Sequence, residues 1–459
     1  MNSKRLFLTI TGLFIAGSWL FADNGVSITG YIQTDNRIQT KSNKFTWNEN
    51  RLNLRLEGTP SDKYHYFSEI RLRGFGFPAT SRFSDLQLQE KNKVYPWGLE
   101  FREAYVDLYG FGLKDLDVRI GRQVIAWGTA DALNPTSNIS PDDLEDIFNF
   151  GEKLGTNAVN ASYYIGDNLT INGVYVPVFT PATLPFGDFA DAFSAPMDLP
   201  PGMSVKRLSD RIILPDRKPS KSSQIGLKAS SNLLGYDLSF SYFKGRDDLP
   251  ILSEATITMA PVEPVGSVYI ATELFYPEAQ VIGGDFAGSI GSVGVWGEGA
   301  FFMPEEVTMT TIAPSFDISG LIRIDTIRTV ALDDEPYFKF VLGGDYTFKN
   351  GLYFNGQFLH GFLHERGKDE LNDYFTFQLE KTLFNDKFKI VPIGGAIAIN
   401  DWDDVKNNYG LVYAPELSYF PSDNVELNIG SFIIDGKGAN MFGMIKGLDE
   451  IMFRLKVSF

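Results

Sequence analysis

Hydrophobic and polar residues alternate along most of this chain in runs of about ten residues. Residues 51–57 read RLNLRLE, and residues 375–380 read FTFQLE. Since side chains of a β-strand point alternately to opposite faces, each run predicts a strand with one apolar and one polar face. A strand that crosses a membrane needs about 9–11 residues. The runs therefore have the length of membrane-spanning strands.

About eighteen such runs follow one another along the chain. The predicted strands begin near residues 26, 45, 64, 99, 115, 157, 168, 222, 236, 277, 292, 336, 352, 373, 388, 409, 425 and 450. Short turns alternate with long connections, which lie around residues 74–97, 126–155, 180–221, 245–276 and 304–335. This order predicts an all-β fold: a transmembrane antiparallel β-barrel with short periplasmic turns and long extracellular loops.

Both ends of the chain carry features of an exported protein. Lys4 and Arg5 precede an apolar stretch, residues 6–21, that ends before Ala22. This layout predicts a secretory signal peptide over residues 1–22 and one barrel domain over residues 23–459, although a membrane anchor is the alternative. The last strand alternates up to Phe459, which resembles the signal read by the outer-membrane barrel assembly machinery.

Composition and charge agree with this class. The chain has 44 Gly, 38 Phe and 20 Tyr but no Cys, which excludes a disulfide scaffold and suits tight turns with aromatic rings at a membrane interface. The net charge of -16 argues against nucleic acid as a partner. An acidic exported protein could also be soluble and periplasmic, but the alternation favours the outer membrane and its lipids.

Charged residues of the predicted strands fall on the polar face, which lines the lumen. The predicted lumenal arginines are Arg51, Arg55, Arg71, Arg73, Arg102 and Arg119. Carboxylates lie among them, at Glu57, Glu69, Glu103, Asp107 and Asp117. Because the guanidinium fork binds carboxylate and phosphate groups, this strip predicts a surface that orients polar or anionic solutes. A lattice of salt bridges that stiffens the wall is the alternative, and both can hold.

Residues 119–150 are the stretch around which the rest is organised. They begin as a strand and break at Trp127-Gly128 into a polar loop. Ser140 as N-cap and Pro141 at the first helical position predict a short helix with an acidic first turn. The acidic residues of this predicted helix are Asp142, Asp143, Glu145 and Asp146.

This loop is the third outer connection of the predicted barrel. In trimeric general porins the third loop folds inward and narrows the pore. By that resemblance, the four acids would face Arg119, Arg122 and the other wall arginines, and residues 126–155 would form the constriction. The alternative is an exposed helix above the membrane. Leu144, Ile147 and Phe148 favour a docked position, because apolar side chains need a surface to pack against.

Several short segments stand out along the chain. They are residues 102–108 (REAYVDL), 121–123 (GRQ), 127–128 (WG), 134–135 (NP), 285–288 (DFAG), 296–298 (WGE) and 357–361 (QFLHG). Together they resemble a family of Gram-negative outer-membrane barrels of unassigned function, similar to alginate-export and substrate-selective porins. The resemblance implies an outer-membrane channel or transporter and supplies no catalytic residues.

Enzyme motifs are weak in this sequence. The histidines are His65, His360 and His364, and no nucleophile elbow, phosphate loop or dinucleotide fingerprint stands out. His360, His364 and Glu365 form a conceivable metal site, but near a strand end their spacing does not place them on one helical face. We assign no metal, cofactor or catalytic residue.

The sequence therefore predicts a porin-like channel for small polar or anionic solutes. One alternative is a transporter of hydrophobic or lipid-like molecules, suggested by apolar loop segments at residues 251–259 and 268–276. Another is a barrel-anchored protein that binds partners at the cell surface, and an outer-membrane hydrolase is a third. A homo-oligomer is left open.

Overall fold

The computed structural model describes residues 25–87, 91–185, 187–193, 204–260, 266–316 and 322–459. The predicted signal peptide, residues 1–22, lies outside the described residues. The helices are short: the 3-10 segments are Phe83–Leu86 and Gly187–Phe193, and the α-helices are α1 (Lys91–Val94), α2 (Pro219–Ser222) and α3 (Met441–Met444). Within the described ranges, no helix has the length and apolar character needed to cross a membrane.

Strands make up most of the regular structure. In chain order they are β1 (Val26–Gln39), β2 (Phe45–Ser61), β3 (Tyr64–Phe75), β4 (Trp97–Leu108), β5 (Leu116–Gln123), β6 (Thr156–Ile165), β7 (Leu169–Val176), β8 (Ser204–Ile213), β9 (Gln224–Leu233), β10 (Tyr236–Arg246), β11 (Ile251–Met259), β12 (Ser267–Phe275), β13 (Glu278–Ile290), β14 (Val293–Pro304), β15 (Val307–Phe316), β16 (Ile322–Leu332), β17 (Tyr337–Thr347), β18 (Leu352–His360), β19 (Asp373–Leu383), β20 (Phe388–Ile399), β21 (Tyr409–Tyr413), β22 (Glu416–Ser422), β23 (Val425–Lys437) and β24 (Glu450–Ser458). Five of them, β8, β11, β12, β15 and β16, form a separate sheet, and the other nineteen form the main sheet.

The main sheet closes on itself into an antiparallel barrel. β1 pairs with β2 on one side and with the last strand, β24, on the other, from Tyr31 opposite Ser458 to Gln39 opposite Glu450. β21 and β22 lie end to end between β20 and β23 and share one position, so the barrel has eighteen strand positions. Closure pairs every strand edge, as a sheet surrounded by lipid requires.

The predicted fold class is confirmed, and so is the predicted order of strands. The predicted strand starts differ from the observed ones by at most two residues. Apolar side chains cover the outer face, where Leu99, Phe101, Phe240 and Ile429 are each more than half exposed. The alternate positions point inward and carry polar groups such as Asn53. Period-two alternation predicts barrel strands well because each strand separates a lipid-facing from a lumen-facing side.

Three of the long connections contain a structure that the sequence did not predict. They form a five-stranded sheet, here called the outer sheet, in the order β16-β15-β11-β12-β8. β11 and β12 form one hairpin and β15 and β16 another, and parallel pairing joins β11 to β15 and β12 to β8. The segments interpreted as apolar loops, 251–259 and 268–276, are largely strands β11 and β12, and Val268 and Ile270 are buried.

The helix predicted after Ser140 is wrong. The segment is extended or turn-like, and Asp142 and Asp143 form isolated β-bridges with Lys153 and Thr183. The Ser140 hydroxyl accepts a hydrogen bond from the Ile125 amide at 2.8 Å instead of capping a helix. The local helix signals are overridden because an extended chain brings each side chain to a different partner on the barrel wall.

Candidate channel constriction

Residues 124–155, here called the inward loop, connect β5 to β6 and lie inside the barrel. The loop contacts inward-facing side chains of strands on opposite sides of the lumen, including β1, β3 and β4 on one side and β14, β17 and β18 on the other. The loop therefore crosses the lumen and does not project from the end of the barrel.

Ion pairs hold the acidic half of the inward loop to β1, β3 and β4. Each pair joins an arginine of the wall to a carboxylate of the loop. Representative contacts are Arg37 Nη1–Asp146 Oδ1 at 2.8 Å, Arg73 Nη1–Glu145 Oε2 at 2.6 Å, Arg102 Nη1–Asp143 Oδ2 at 2.6 Å and Arg71 Nη2–Glu152 Oε1 at 2.6 Å. Charge-assisted hydrogen bonds of this length are the strongest class in proteins. The acids of the loop thus face the arginines of the wall.

The protonation of the loop acids follows from these contacts. Burial alone would raise the pKa of Asp143, but the Thr183 hydroxyl at 2.6 Å and the Arg102 guanidinium outweigh it and hold that pKa below its usual value. Burial is likewise outweighed at Asp146, where the charge and hydrogen bonds of Arg37 lower the pKa. Both carboxylates therefore stay charged at neutral pH.

Apolar side chains hold the inward loop to the other strands. Leu133 and Ile147 are buried in one cluster. Its members from the barrel strands are Val341, Leu359, Tyr374, Ala398, Val412 and Ile434. Ile125, Trp127 and Ile139 belong to a second cluster. Its wall residues are Ala158, Val174, Val176, Phe243, Val281 and Ala300. These clusters pack the loop against the wall from β6 round to β23 and leave between them a smaller cavity of about 60 Å³, whose lining includes Asp142, Asp248 and Lys339.

A polar cavity, here called the passage, remains between the acidic half of the loop and strands β1, β2, β3 and β24. It has a volume of about 380 Å³. The basic residues lining it are Arg51, Arg55, Arg71, Arg73, Arg454 and Lys456. The acidic ones are Asp35, Glu49, Glu69, Asp143, Glu145, Asp146 and Glu152. Six bases and seven acids thus surround one narrow space. Such a lining offers partners for both charges of a small polar solute.

The structure separates the predicted site residues into groups. Arg51, Arg55, Arg71 and Arg73 line the passage, and Arg102 holds the loop beside it. Three of the four predicted acids, Asp143, Glu145 and Asp146, line it as well. Asp142 instead pairs with Lys153 at 2.6 Å, and its amide donates to Asp248 at 2.7 Å. Asp142 therefore does not face the wall arginines.

Arg119 and Arg122 do not meet the loop acids. Arg119 pairs with Asp107 at 2.6 Å and stacks on the Tyr105 ring, and His65 completes this cluster by contacting Asp107 at 2.9 Å. The prediction that Arg122 lines the lumen is wrong. Arg122 lies on the same face of β5 as Ile120, whereas Gln123 points inward. Its Nε donates to the Phe101 carbonyl at 2.7 Å. Residues 119 and 122 differ by an odd number of positions, which places them on opposite faces.

Among the charged residues that sequence reasoning missed, four hold the loop in place or add to the basic lining of the passage. Arg37 binds Asp146, Glu152 binds Arg71, and Arg454 and Lys456 line the passage. Arg454 Nη2 lies 2.8 Å from Asp35. The signal was available, because the alternation of β1 and β24 already placed Asp35, Arg37, Arg454 and Lys456 on the polar face. The pairing of β24 with β1, which brings these residues together, could not be read from the sequence.

The histidine and carboxylate residues considered for metal binding have structural partners. His360 Nδ1 lies 2.8 Å from Asp373, and Glu365 accepts hydrogen bonds from the amides of Phe362 and Asn372. Across the described ranges, no group of three or more His, Asp or Glu side chains is arranged to hold a metal ion.

The fold and the site define a closed β-barrel whose lumen is crossed by one of its own loops. The chain belongs to the family described as "Protein of unknown function (DUF1302)", whose model matches residues 21–428. The predicted membership of a barrel family without assigned function is thus confirmed, whereas the likeness to alginate-export porins stays a prediction.

No curated protein matches the chain. Among solved structures, OmpF of Salmonella typhi in complex with daunomycin shares 10% identity over 95% of this chain and 99% of that chain, with a TM-score of 0.40. OmpT, an outer membrane protein of Vibrio cholerae folded in vitro, shares 8% identity over 95% of this chain and 97% of that chain, with a TM-score of 0.41.

Proposed function

We propose that this protein is a narrow outer-membrane channel for small polar solutes, including small anions, and that the inward loop is its constriction. The observation that supports the proposal most is the division of the lumen. Apolar clusters occupy most of the space on one side of the loop, where the remaining cavity measures about 60 Å³, and the polar passage of about 380 Å³ lies on the other. A solute that crosses the barrel at this level would have to use the charged side.

The lining of the passage supports polar cargo. Its charges are of both signs, and two arginine–carboxylate pairs, Arg71–Glu152 and Arg73–Glu145, reach from the wall to the loop. Arg55 is the most accessible of the paired cations, with 55% of its side chain exposed, although it contacts Glu69 at 2.7 Å. A small solute with polar or anionic groups can exchange places with such a partner, whereas an apolar solute would leave the charges unsolvated.

The proposal places the barrel in the outer membrane, surrounded by its lipids. Residues 1–22 would direct export, and Phe459 would be read by the barrel assembly machinery. In the folded chain the Phe459 amide donates to the Gly30 carbonyl at 2.9 Å, at the closure of the barrel. No catalytic residue belongs to the proposal, and a homo-oligomer is compatible with it.

Planar bilayers and liposomes test the channel. The folded protein should give discrete ion-conducting steps of small size. In liposome swelling it should admit small amino acids and organic acids and exclude larger sugars. A folded preparation that inserts and carries no current, and admits no solute, would disprove the proposal.

A second candidate is a barrel-anchored protein that binds a partner at the cell surface. The outer sheet favours it, because the described residues of the edge strands β8 and β16 are exposed, apart from Leu332 at the end of β16. Exposed strand edges are a common place for another chain to bind. Removal of the β15–β16 hairpin should abolish surface binding and leave conductance unchanged under this alternative.

A further inference from the structure

The inward loop is fastened to the wall opposite the passage by one buried carboxylate. Glu298 lies on β14, is only 4% exposed and points into the lumen. Its oxygens accept hydrogen bonds from the Thr136 hydroxyl at 2.5 Å, the Asn134 side-chain amide at 2.8 Å and the Ala130 amide at 3.3 Å. All three of these donors belong to the inward loop. Removal of the carboxylate would therefore leave three donors of the docked loop buried without their acceptor.

The loop backbone is shaped to fit this carboxylate. Gly128 has a φ of +93°, a conformation that residues with a side chain rarely adopt. A Cβ at this position would lie 2.2 Å from Glu298 Oε2 and 2.8 Å from the Thr136 hydroxyl. Glycine at position 128 is thus required both by the backbone conformation and by the close approach to Glu298.

The side-chain amide of Gln357 fixes the inward loop at Asp131. On β18, Gln357 Oε1 accepts from the Asp131 amide at 3.0 Å, and its Nε2 donates to the Asp131 carbonyl at 3.1 Å. Trp296 Nε1 donates to the same Oε1 at 2.9 Å and so orients the amide. Asn355 Nδ2 donates to the Asp131 carboxylate at 2.7 Å. Residues 128–136 are therefore held at two strands by directional contacts.

The acidic half of the loop is held differently. Its partners Arg71 and Arg73 line the water-accessible passage together with Glu145 and Glu152. A solute in the passage can exchange with these pairs, because the side chains of Glu145 and Glu152 are 26% exposed even though Arg71 and Arg73 are buried. No such exchange is available to Glu298, which lies away from the passage.

We propose that Glu298, assisted by Gln357, is the positioning residue that keeps the inward loop in the lumen. Residues 128–136 stay fixed while residues 143–152 exchange partners with the solute. This inference rests on the proposed channel function, since it states what sets the width of the channel. It also assigns a role to three sequence segments, 127–128, 134–135 and 296–298, which meet at this anchor.

The test uses the absence of cysteine from the chain. Asp131→Cys with Asn355→Cys gives a single pair that a bis-maleimide with a disulfide in its spacer can join, because the native side chains are in contact. Glu298→Ala in this background should shift the balance from docked to undocked loop by roughly tenfold or more. Conductance should rise and larger sugars should enter. Cross-linking should restore the conductance and size limit of the double-cysteine parent. Reduction of the cross-linker should then return both to the values of the Glu298→Ala variant.

Controls separate this role from a general effect on the barrel. Glu298→Gln keeps one acceptor oxygen and should give an intermediate result. Glu380→Gln removes another carboxylate, one hydrogen-bonded to Gln378 on β19, and should change nothing. Unchanged conductance in Glu298→Ala would overturn the proposal, as would a rise that cross-linking does not reverse. If Glu298→Ala does not assemble, Thr136→Val with Asn134→Leu removes two donors from the loop and leaves the wall intact.

A second readout is independent of conduction. Lys153 is 9% exposed and paired with Asp142 in the docked loop, so trypsin should cleave after it only when the loop leaves the lumen. Faster cleavage in Glu298→Ala supports the anchor even if the wild-type protein carries no current. In that case the channel function fails and the anchor stands. Equal cleavage rates in the variant and the parent would reject the anchor alone.

Discussion

The two sides of the inward loop are bound to the barrel by opposite kinds of contact. Towards β1, β3 and β4 the loop offers carboxylates to arginines beside a polar cavity. Towards the strands from β6 to β23 it offers Leu133, Ile147 and Trp127 to closed apolar clusters. Apolar burial stabilises by about 25 cal/mol for each Å² removed from water, whereas the ion pairs of buried arginines such as Arg71 and Arg73 carry a desolvation cost that offsets much of their attraction.

This difference assigns separate tasks to the two sides. The apolar side and the Glu298 anchor supply most of the free energy that keeps the loop docked. The charged side supplies little of that free energy but decides which solutes meet favourable partners. We therefore expect substitutions on the first side to change stability and pore size, and substitutions on the second to change selectivity.

The largest expected effect comes from Gly128→Ala. A side chain here is disfavoured by the φ of +93°, at about 1–3 kcal/mol, and collides with Glu298 as well. The loop should undock, with a lower melting temperature in detergent and a higher conductance. Gly166→Ala is the matched control, since Gly166 has a φ of +60° and no atom near its Cβ position. Equal effects of the two substitutions would show that the contact with Glu298 is unimportant.

The barrel could be predicted from the sequence to a large extent, and the reason is physical. In a strand that faces lipid on one side and water on the other, apolar and polar residues must alternate, so each strand can be recognised from its own residues. The run at 51–57 needs no distant contact to be recognised. The outer sheet escaped prediction because its strands pair across three separate connections, and nothing local in β8 specifies that it pairs in parallel with β12.

The inward loop shows the opposite behaviour. Ser140, Pro141 and the acids after them carry good helix signals, yet the segment is extended because its partners Arg37, Arg73 and Arg102 lie on three different strands. The acidic character of the site could be predicted, as could most of its arginines. The anchor could not, because Glu298 lies more than 160 residues from the loop atoms it binds.

The next largest effect is expected from Ile147→Ala. Ile147 is 3% exposed among apolar wall residues, and removing its buried carbons should lower the free energy of unfolding by about 2–4 kcal/mol. Denaturant or thermal unfolding in detergent measures this loss. Ile290→Ala, at a position that is 65% exposed, should have almost no effect. A larger loss in Glu145→Gln, which removes the loop charge but leaves Arg73 paired with Glu49, than in Ile147→Ala would reverse the proposed division between the two sides.

A smaller effect concerns pH. Burial, followed by repulsion from Asp142 and Asp247, raises the pKa of Asp248 to about 7, whereas the unfolded chain has an aspartate pKa of about 3.9. The contribution of this group to stability is therefore complete below about pH 4 and is lost as the pH rises through about 7. Asp248→Asn should raise the melting temperature at pH 8 and leave it unchanged at pH 4.

Asp247, the residue next to Asp248, provides the control for this pH effect. Asp247 is bound by the Arg366 guanidinium at 2.6 and 2.7 Å, which, against the effect of burial, lowers its pKa. Asp247→Asn should therefore destabilise the protein at pH 8, the reverse of Asp248→Asn. A stabilising effect of both substitutions at pH 8 would mean that general acidity, rather than the position of Asp248, is responsible.

The smallest expected effect tests the charged side directly, through reversal potentials in a salt gradient. Glu145→Gln removes a negative charge that lines the passage, so permeation should shift towards anions, and Arg55→Gln should shift it towards cations. Each shift should be modest at about 0.1 M salt, where the Debye length is about 10 Å, and should grow as the salt is diluted. Asp142→Asn is the control, because its carboxylate pairs with Lys153 and does not line the passage. If Asp142→Asn shifted selectivity as strongly as Glu145→Gln, ions would not be confined to the polar passage, and the apolar side of the loop would have to conduct as well.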